Sequence, residues 1–304
     1  MRGGVTDELR SLLRAWYLWP LPPVAAVLAW WLVPLNANLY ARFIDSDAQA
    51  PDQIAGEYAT DVVAVHTSGF SSGYLLAMLA GAVLVLRDRR LAGPLPVVRA
   101  ASGVGPSFEV RRLFAAKVAA AGLLASVLGP ACLVGGLPRA HAAVAHHWAL
   151  SELPQRGVSI DELTLWDPQV LMVVVSGLLA FPAWAAVGVG LGGILGRWWR
   201  LAILAALPVV TVVGYRWGEE IAERSGLAGA IVVGILIVLA VGWGILVGLS
   251  LSACAPVYVL LVAGAAAVAL LDGQRATRRR LARAASAPID VLYRNRDGGD
   301  FSVS

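Results

Sequence analysis

The chain has 304 residues, 58% of them apolar and only 14% charged, whereas a soluble domain carries roughly 25% charged residues, so an ordinary water-soluble globule is excluded. The net charge of +4 comes from arginines set between apolar runs, which is how membrane helices are oriented and not how nucleic acid is bound. The two cysteines, Cys132 and Cys254, stand alone inside apolar runs without the spacing of a metal site or disulfide framework, and read as small buried apolar residues.

Several apolar runs reach or exceed the ~20 residues that cross a ~30 Å hydrocarbon core, and they are continuous where barrel strands would alternate. They predict an all-α integral membrane protein, with one transmembrane domain over 1–271 and a basic cytoplasmic tail over 272–304. At the N-terminus, "TDELRSLLRAW" predicts a short amphipathic helix on the membrane surface, capped by Thr6 or Asp7. The first span is expected at about 18–36, and the absence of a small-residue cleavage site after it favours a retained span over a cleaved leader. A polar, acid-rich stretch over 37–68 leads to the second span at about 69–86, where Ser71, Ser72 and Tyr74 are suited to bonding between helices or to lining a pathway. Then comes "RDRRLAGPLPVVRAASGVGPSFEVRR" (87–112), with six arginines, three prolines and three glycines. The third span, about 114–136, carries the chain's one lysine, Lys117, about a turn in, from where it can snorkel to the interface.

A second polar stretch covers 137–168. Its His141, His146 and His147 lack the i, i+4 stacking of convergent ligands, so they predict a solvated or interfacial loop helix, with Trp148 near the headgroups, and no metal site. The fourth span is expected at about 169–195. There Gly188, Gly192 and Gly196 recur every four residues, a smooth face for helix packing. After a basic turn at 197–200 comes a fifth run, 199–215, and then Glu219, Glu220 and Glu223, readable as an outer rim or as a solvated interfacial turn. Residues 227–271 are too long for one span at 1.5 Å per residue. One resolution makes 227–249 a re-entrant helical hairpin and 252–271 the sixth span. The other is that 199–215, broken by Pro208, does not cross fully and 227–249 is a further span. Counting arginines puts the N-terminus, 87–117, 197–200 and the tail in the cytoplasm of a bacterial cell, with the acid-leaning stretches outside.

The 87–117 segment exceeds what orientation requires. Pro94 and Pro96 stiffen its entry by fixing φ, Gly103 and Gly105 permit a turn, and Pro106 or Ser107 can start the helix "SFEVRRLFAAK". The order of parts resembles the membrane permeases of type-2 ABC exporters, in divergent actinobacterial-like form: an amphipathic N-terminal helix, two spans, a charged segment passing through Gly93, Pro94 and Pro96, then a span led by Lys117. Two departures are visible, since Asp88 lies five positions before Gly93 and the family's Ser-Arg element is missing. The resemblance implies that this segment is a coupling helix docking on a separate ATPase subunit, with Phe108 as an apolar anchor and Glu109, Arg111 and Arg112 as polar contacts. It also implies a re-entrant element before the last span. ATP and Mg2+ would be bound by the ATPase and no cofactor by this chain. Its partners would be that ATPase, a second copy or a similar permease, and the lipid bilayer, with no nucleic acid.

Three readings follow: an exporter permease, a non-transporting anchor or regulatory subunit of a membrane complex, and an intramembrane enzyme. The last is the weakest, because no paired acids, zinc set or Ser/His arrangement falls within the spans. The substrate class is open, and apolar spans favour an amphipathic cargo.

Overall fold

The computed structural model describes residues 10, 14–15, 18–44, 67, 69–88, 106–150, 168–195 and 254–283. Among the described residues the chain is all-helical, with α1 Leu21–Ile44, α2 Phe70–Leu86, α3 Pro106–Leu150, α4 Pro168–Leu195 and α5 Cys254–Arg283. By length and composition, Val110–Ala143, Leu171–Leu195 and Cys254–Arg283 are long and apolar enough to cross a membrane, and Leu21–Val33 and Phe70–Leu86 are shorter apolar helices. This gives the chain the character of a membrane protein. The expected segments 199–215 and 227–249 lie outside the described residues.

The helices outrun the apolar runs from which they were anticipated. The third span was expected at 114–136, but α3 starts at Pro106 and reaches Leu150, 45 residues with Pro130 and Pro138 inside. Neither proline ends it, as is usual where neighbouring helices and local adjustments satisfy the freed carbonyls. At 1.5 Å per residue it is about 68 Å long, over twice the hydrocarbon thickness. Helix α1 begins at Leu21, with Pro22 and Pro23 in its first turn where no amide donor is needed, and carries on to Ile44 through part of the stretch expected to be a polar loop. Helix α5 passes through residue 271 without a break, so the first part of the expected tail is helical.

Residue contacts fix the directions. Gly177 lies against Phe70 and Tyr74, Gly188 against Met78, and Gly192 against Ala82, so α2 and α4 run the same way. Trp184 meets Tyr258 and Gly190 meets Ala269, which adds α5 to that set. Cys132 meets Ala25, Gly135 meets Ala26, and Arg139 lies over the Trp30 ring at 4.4 Å, so α1 and α3 run together. Asp88 against Lys117 and Gly73 against Cys132 set α2 and α3 antiparallel. Because α4 and α5 are parallel, Leu195 and Cys254 lie at opposite ends of the bundle.

Helix α2 is buried nearly all round, from Phe70 to Leu86, as befits a helix apolar on every face. It is the centre of the bundle. Around it, Leu123, Val127 and Val134 of α3, Leu179 of α4, and Leu260 and Leu261 of α5 point outward, as lipid-facing side chains do. Lys117 and Arg139 lie about 33 Å apart along α3 at 1.5 Å per residue, close to the thickness of a hydrocarbon core.

Glycines set the closest approaches. A Cβ on Gly188 would fall on the Met78 carbonyl of α2, whereas one on Gly264 of α5 meets nothing within 4 Å. Gly188→Val should therefore force α2 from α4 and lower stability by about 1–3 kcal/mol. Gly264→Ala should stay within about 0.5 kcal/mol of the parent. Thermal unfolding of detergent-solubilised protein followed by monodispersity compares the two.

Candidate functional site at the arginine-rich end

The end of the bundle where α2, α4 and α5 finish and α3 begins collects most of the described charged groups. Helix α2 closes with the Arg87 amide donating to the Val83 carbonyl at 2.9 Å and the Asp88 amide donating to the Val85 carbonyl at 3.1 Å. This last turn presents the Asp88 carboxylate to α3, where Lys117 Nζ meets Oδ2 at 3.2 Å with the two side chains only 5% and 10% exposed. Lys117 was expected to snorkel to the interface. It stays buried, because a carboxylate within reach forms a charge-assisted hydrogen bond in a poorly solvated place. The pair joins the two ends of the 89–105 connection.

Helix α3 starts at Pro106, one of the two positions expected from the sequence. Its first described side chains divide cleanly. Val110 and Phe114, one turn apart, are buried, with Phe114 against Gly193. Arg111 and Arg112 are exposed. The side chains of Phe108 and Glu109 lie outside the described ones.

Helix α4 ends beside α5. The Gly193 carbonyl, in its last turn, accepts from Thr277 Oγ1 at 3.5 Å and from Arg280 Nη2. Arg280 Nε also donates to the Ala276 carbonyl at 3.4 Å. A guanidinium here satisfies a carbonyl that the helix leaves orphaned and sits at the negative end of its dipole. Gly190 and Gly193 bring the α4 backbone against Ala269 and Gly273, which makes the reach short enough.

The remaining expected residues are placed as follows. Gly188 and Gly192 face α2, while Gly196 lies outside the described residues. Glu219, Glu220 and Glu223 also lie outside them. Tyr74 bonds across helices, its hydroxyl donating to the Gly177 carbonyl at 2.9 Å, whereas Ser72 Oγ bonds within its own chain segment to the Gly69 carbonyl at 3.0 Å. Tyr74 also centres an aromatic cluster with Phe70, Phe181, Trp184 and Tyr258, within which Trp184 Nε1 donates to the Tyr258 hydroxyl at 3.0 Å. His141 and His146 are exposed on the far end of α3, and among the described residues no three His, Cys, Asp or Glu side chains are grouped to hold a metal. Cys132 is buried as expected, but Cys254 is exposed at the start of α5. An apolar run marks a helix without saying which face is covered.

Two contacts were missed in the sequence, Asp88–Lys117 and Arg280–Gly193. The signal for the first was a single lysine in an arginine-rich chain and an acid just past the second span. The signal for the second was a threonine and an arginine three apart at a helix exit. No family model, curated protein or solved structure matches this chain.

Removing one member of the buried pair leaves the other charge uncompensated. Lys117→Met or Asp88→Asn alone should destabilise by about 3–5 kcal/mol, and the double variant should recover most of that loss. Unfolding of the purified protein in a double-mutant cycle measures it, and additive losses would show that the two charges act independently.

Proposed function

We propose that this chain is the transmembrane permease subunit of an ATP-driven ABC exporter, moving a substrate of open class across a bacterial cell membrane. A separately encoded ATPase would bind ATP and Mg2+, a second copy or similar permease would complete the transporter, and both termini would lie in the cytoplasm. The observation that carries this reading is the continuity of α3. It starts at Pro106 inside the segment that resembles a coupling helix, exposes Arg111 and Arg112, and runs unbroken into the candidate span Val110–Ala143. Its base is clasped to the end of α2 by Lys117 and Asp88.

A continuous helix suits force transmission, because a push on its first turns moves the whole rod and does not dissipate in a loop. In this reading Phe108 and Glu109 join the two arginines in contacting the ATPase. Glycine faces on α4 let the helices stay in close contact while they shift. In this reading Glu219, Glu220 and Glu223, outside the described residues, would rim the outer side.

The test is purification of the tagged chain from its native membranes. A nucleotide-binding subunit should be retained, and Arg111→Glu with Arg112→Glu should weaken that retention about tenfold, through slower association and an altered salt dependence. ATP-driven efflux should fall in parallel. A chain that carries no nucleotide-binding partner and supports no ATP-driven efflux is a non-transporting anchor or regulatory subunit instead.

A further inference from the structure

We propose that the exit of α5 is a binding site for anionic phospholipid headgroups, built by Arg275 and Arg279 and flanked by Arg283. The proposal rests on the membrane-embedded fold and not on the transport reading, and it holds whichever soluble partner the chain has.

The azimuth of α5 places Arg275 and Arg279 in line with its exposed apolar stripe. At 100° per residue, Val257, Leu261, Val268, Arg275 and Arg279 fall within about 40° of one another. The three apolar members are 50%, 68% and 60% exposed, and both arginines are exposed. Gly264, on the same side, has nothing near it. The opposite face carries Val262, Ala266, Gly273, Thr277 and Arg280, directed at the bundle. The helix cannot rotate freely, because Gly190 and Gly193 of α4 lie against the backbone at Ala269 and Gly273, and Trp184 Nε1 donates to the Tyr258 hydroxyl. The stripe that meets acyl chains over most of α5 therefore continues, without turning, into the two arginines. They face the lipid, not the interior of the bundle.

Depth agrees with direction. Leu271 is the last large exposed apolar side chain of this face. Arg275 lies about 6 Å and Arg279 about 12 Å further along the axis. The interfacial layer is roughly 5–8 Å deep on each side of the hydrocarbon. Arg275 stands in it, and Arg279 reaches it by folding its stem back. A planar guanidinium pairs with a phosphate oxygen pair through two parallel hydrogen bonds, the chemistry that an anionic headgroup supplies.

Asp272 tempers the site. Its Oδ1 pairs with Arg275 Nη1 at 3.1 Å, with side chains 67% and 52% exposed. A pair so open to solvent exchanges readily for a better anion. Asp272 also gives the proposal a variant of opposite sign.

The experiment uses the full chain reconstituted in phosphatidylcholine vesicles. Electron spin resonance of trace spin-labelled phosphatidylglycerol, against spin-labelled phosphatidylcholine, reads the selectivity of the lipids touching the protein. The parent should prefer phosphatidylglycerol, and the preference should shrink in high salt. Arg275→Gln and Arg279→Gln should each lower it up to about five-fold, and Asp272→Asn should raise it. Arg280→Gln removes the same charge from the bundle side and should leave it unchanged. Equal preference for the two lipids in the parent overturns the proposal. So does an equal loss from Arg280→Gln, which would mean that net charge and not the lipid-facing pair attracts the headgroup.

Discussion

The bundle depends on backbone contact between helices. In hydrocarbon a helix gains nothing by hiding apolar side chains from lipid, so association comes from close packing and from polar contacts. Helix α4 is built for this on two faces. Gly188 and Gly192 admit the backbone of α2, and Gly190 and Gly193, offset by one or two residues, admit α5. On the other side of the bundle, Gly135 and Gly136 of α3 do the same for Ala26 and Ala29 of α1. The bulky side chains follow from these contacts. Once α2 and α4 are close, Phe70, Tyr74 and Phe181 must interdigitate, and the tilted and edge-on ring geometries result, Phe70 and Phe181 lying at 88° with centroids 5.6 Å apart.

Close packing also governs the charges at the arginine-rich end. Lys117 and Asp88 are tolerated with little solvent because the helix ends that carry them are held within bonding distance. Such a pair adds little net stability but is costly to break, so it acts as a condition on how α2 and α3 may move. Arg280 works similarly, tying α5 to the last turn of α4 at a carbonyl the helix cannot satisfy itself. The arginines of this end thus divide by face. Arg280 serves the bundle, Arg275 and Arg279 lie on the exposed face of α5, and Arg111 and Arg112 at the start of α3 are exposed as well.

Much of this could be read from residues alone. Apolar runs mark helices because the bilayer requires every backbone group to be bonded internally. Helix α3 starts at Pro106, where a missing donor costs nothing, and Tyr74, one of three polar side chains read in the second span, bonds across helices. Less was legible where length was concerned. The polar residues that seemed to end the third span, and the prolines within it, did not stop α3, because helix continuity and hydrophobic thickness are separate quantities. Lys117 was read from its own position, and a lone position cannot reveal a carboxylate on another helix.

The sequence by itself determined that the chain is helical and membrane-like, where its arginines concentrate, and which glycines can let a neighbour close. Periodicity and composition are local, and these properties are local as well. Only the tertiary structure decided which glycine faces which helix, that α4 and α5 run parallel, that Lys117 finds Asp88, and which arginines of α5 turn away from the bundle. Each of these needs the relative azimuth of two helices, and that azimuth is set by the fit of whole surfaces and by no single segment.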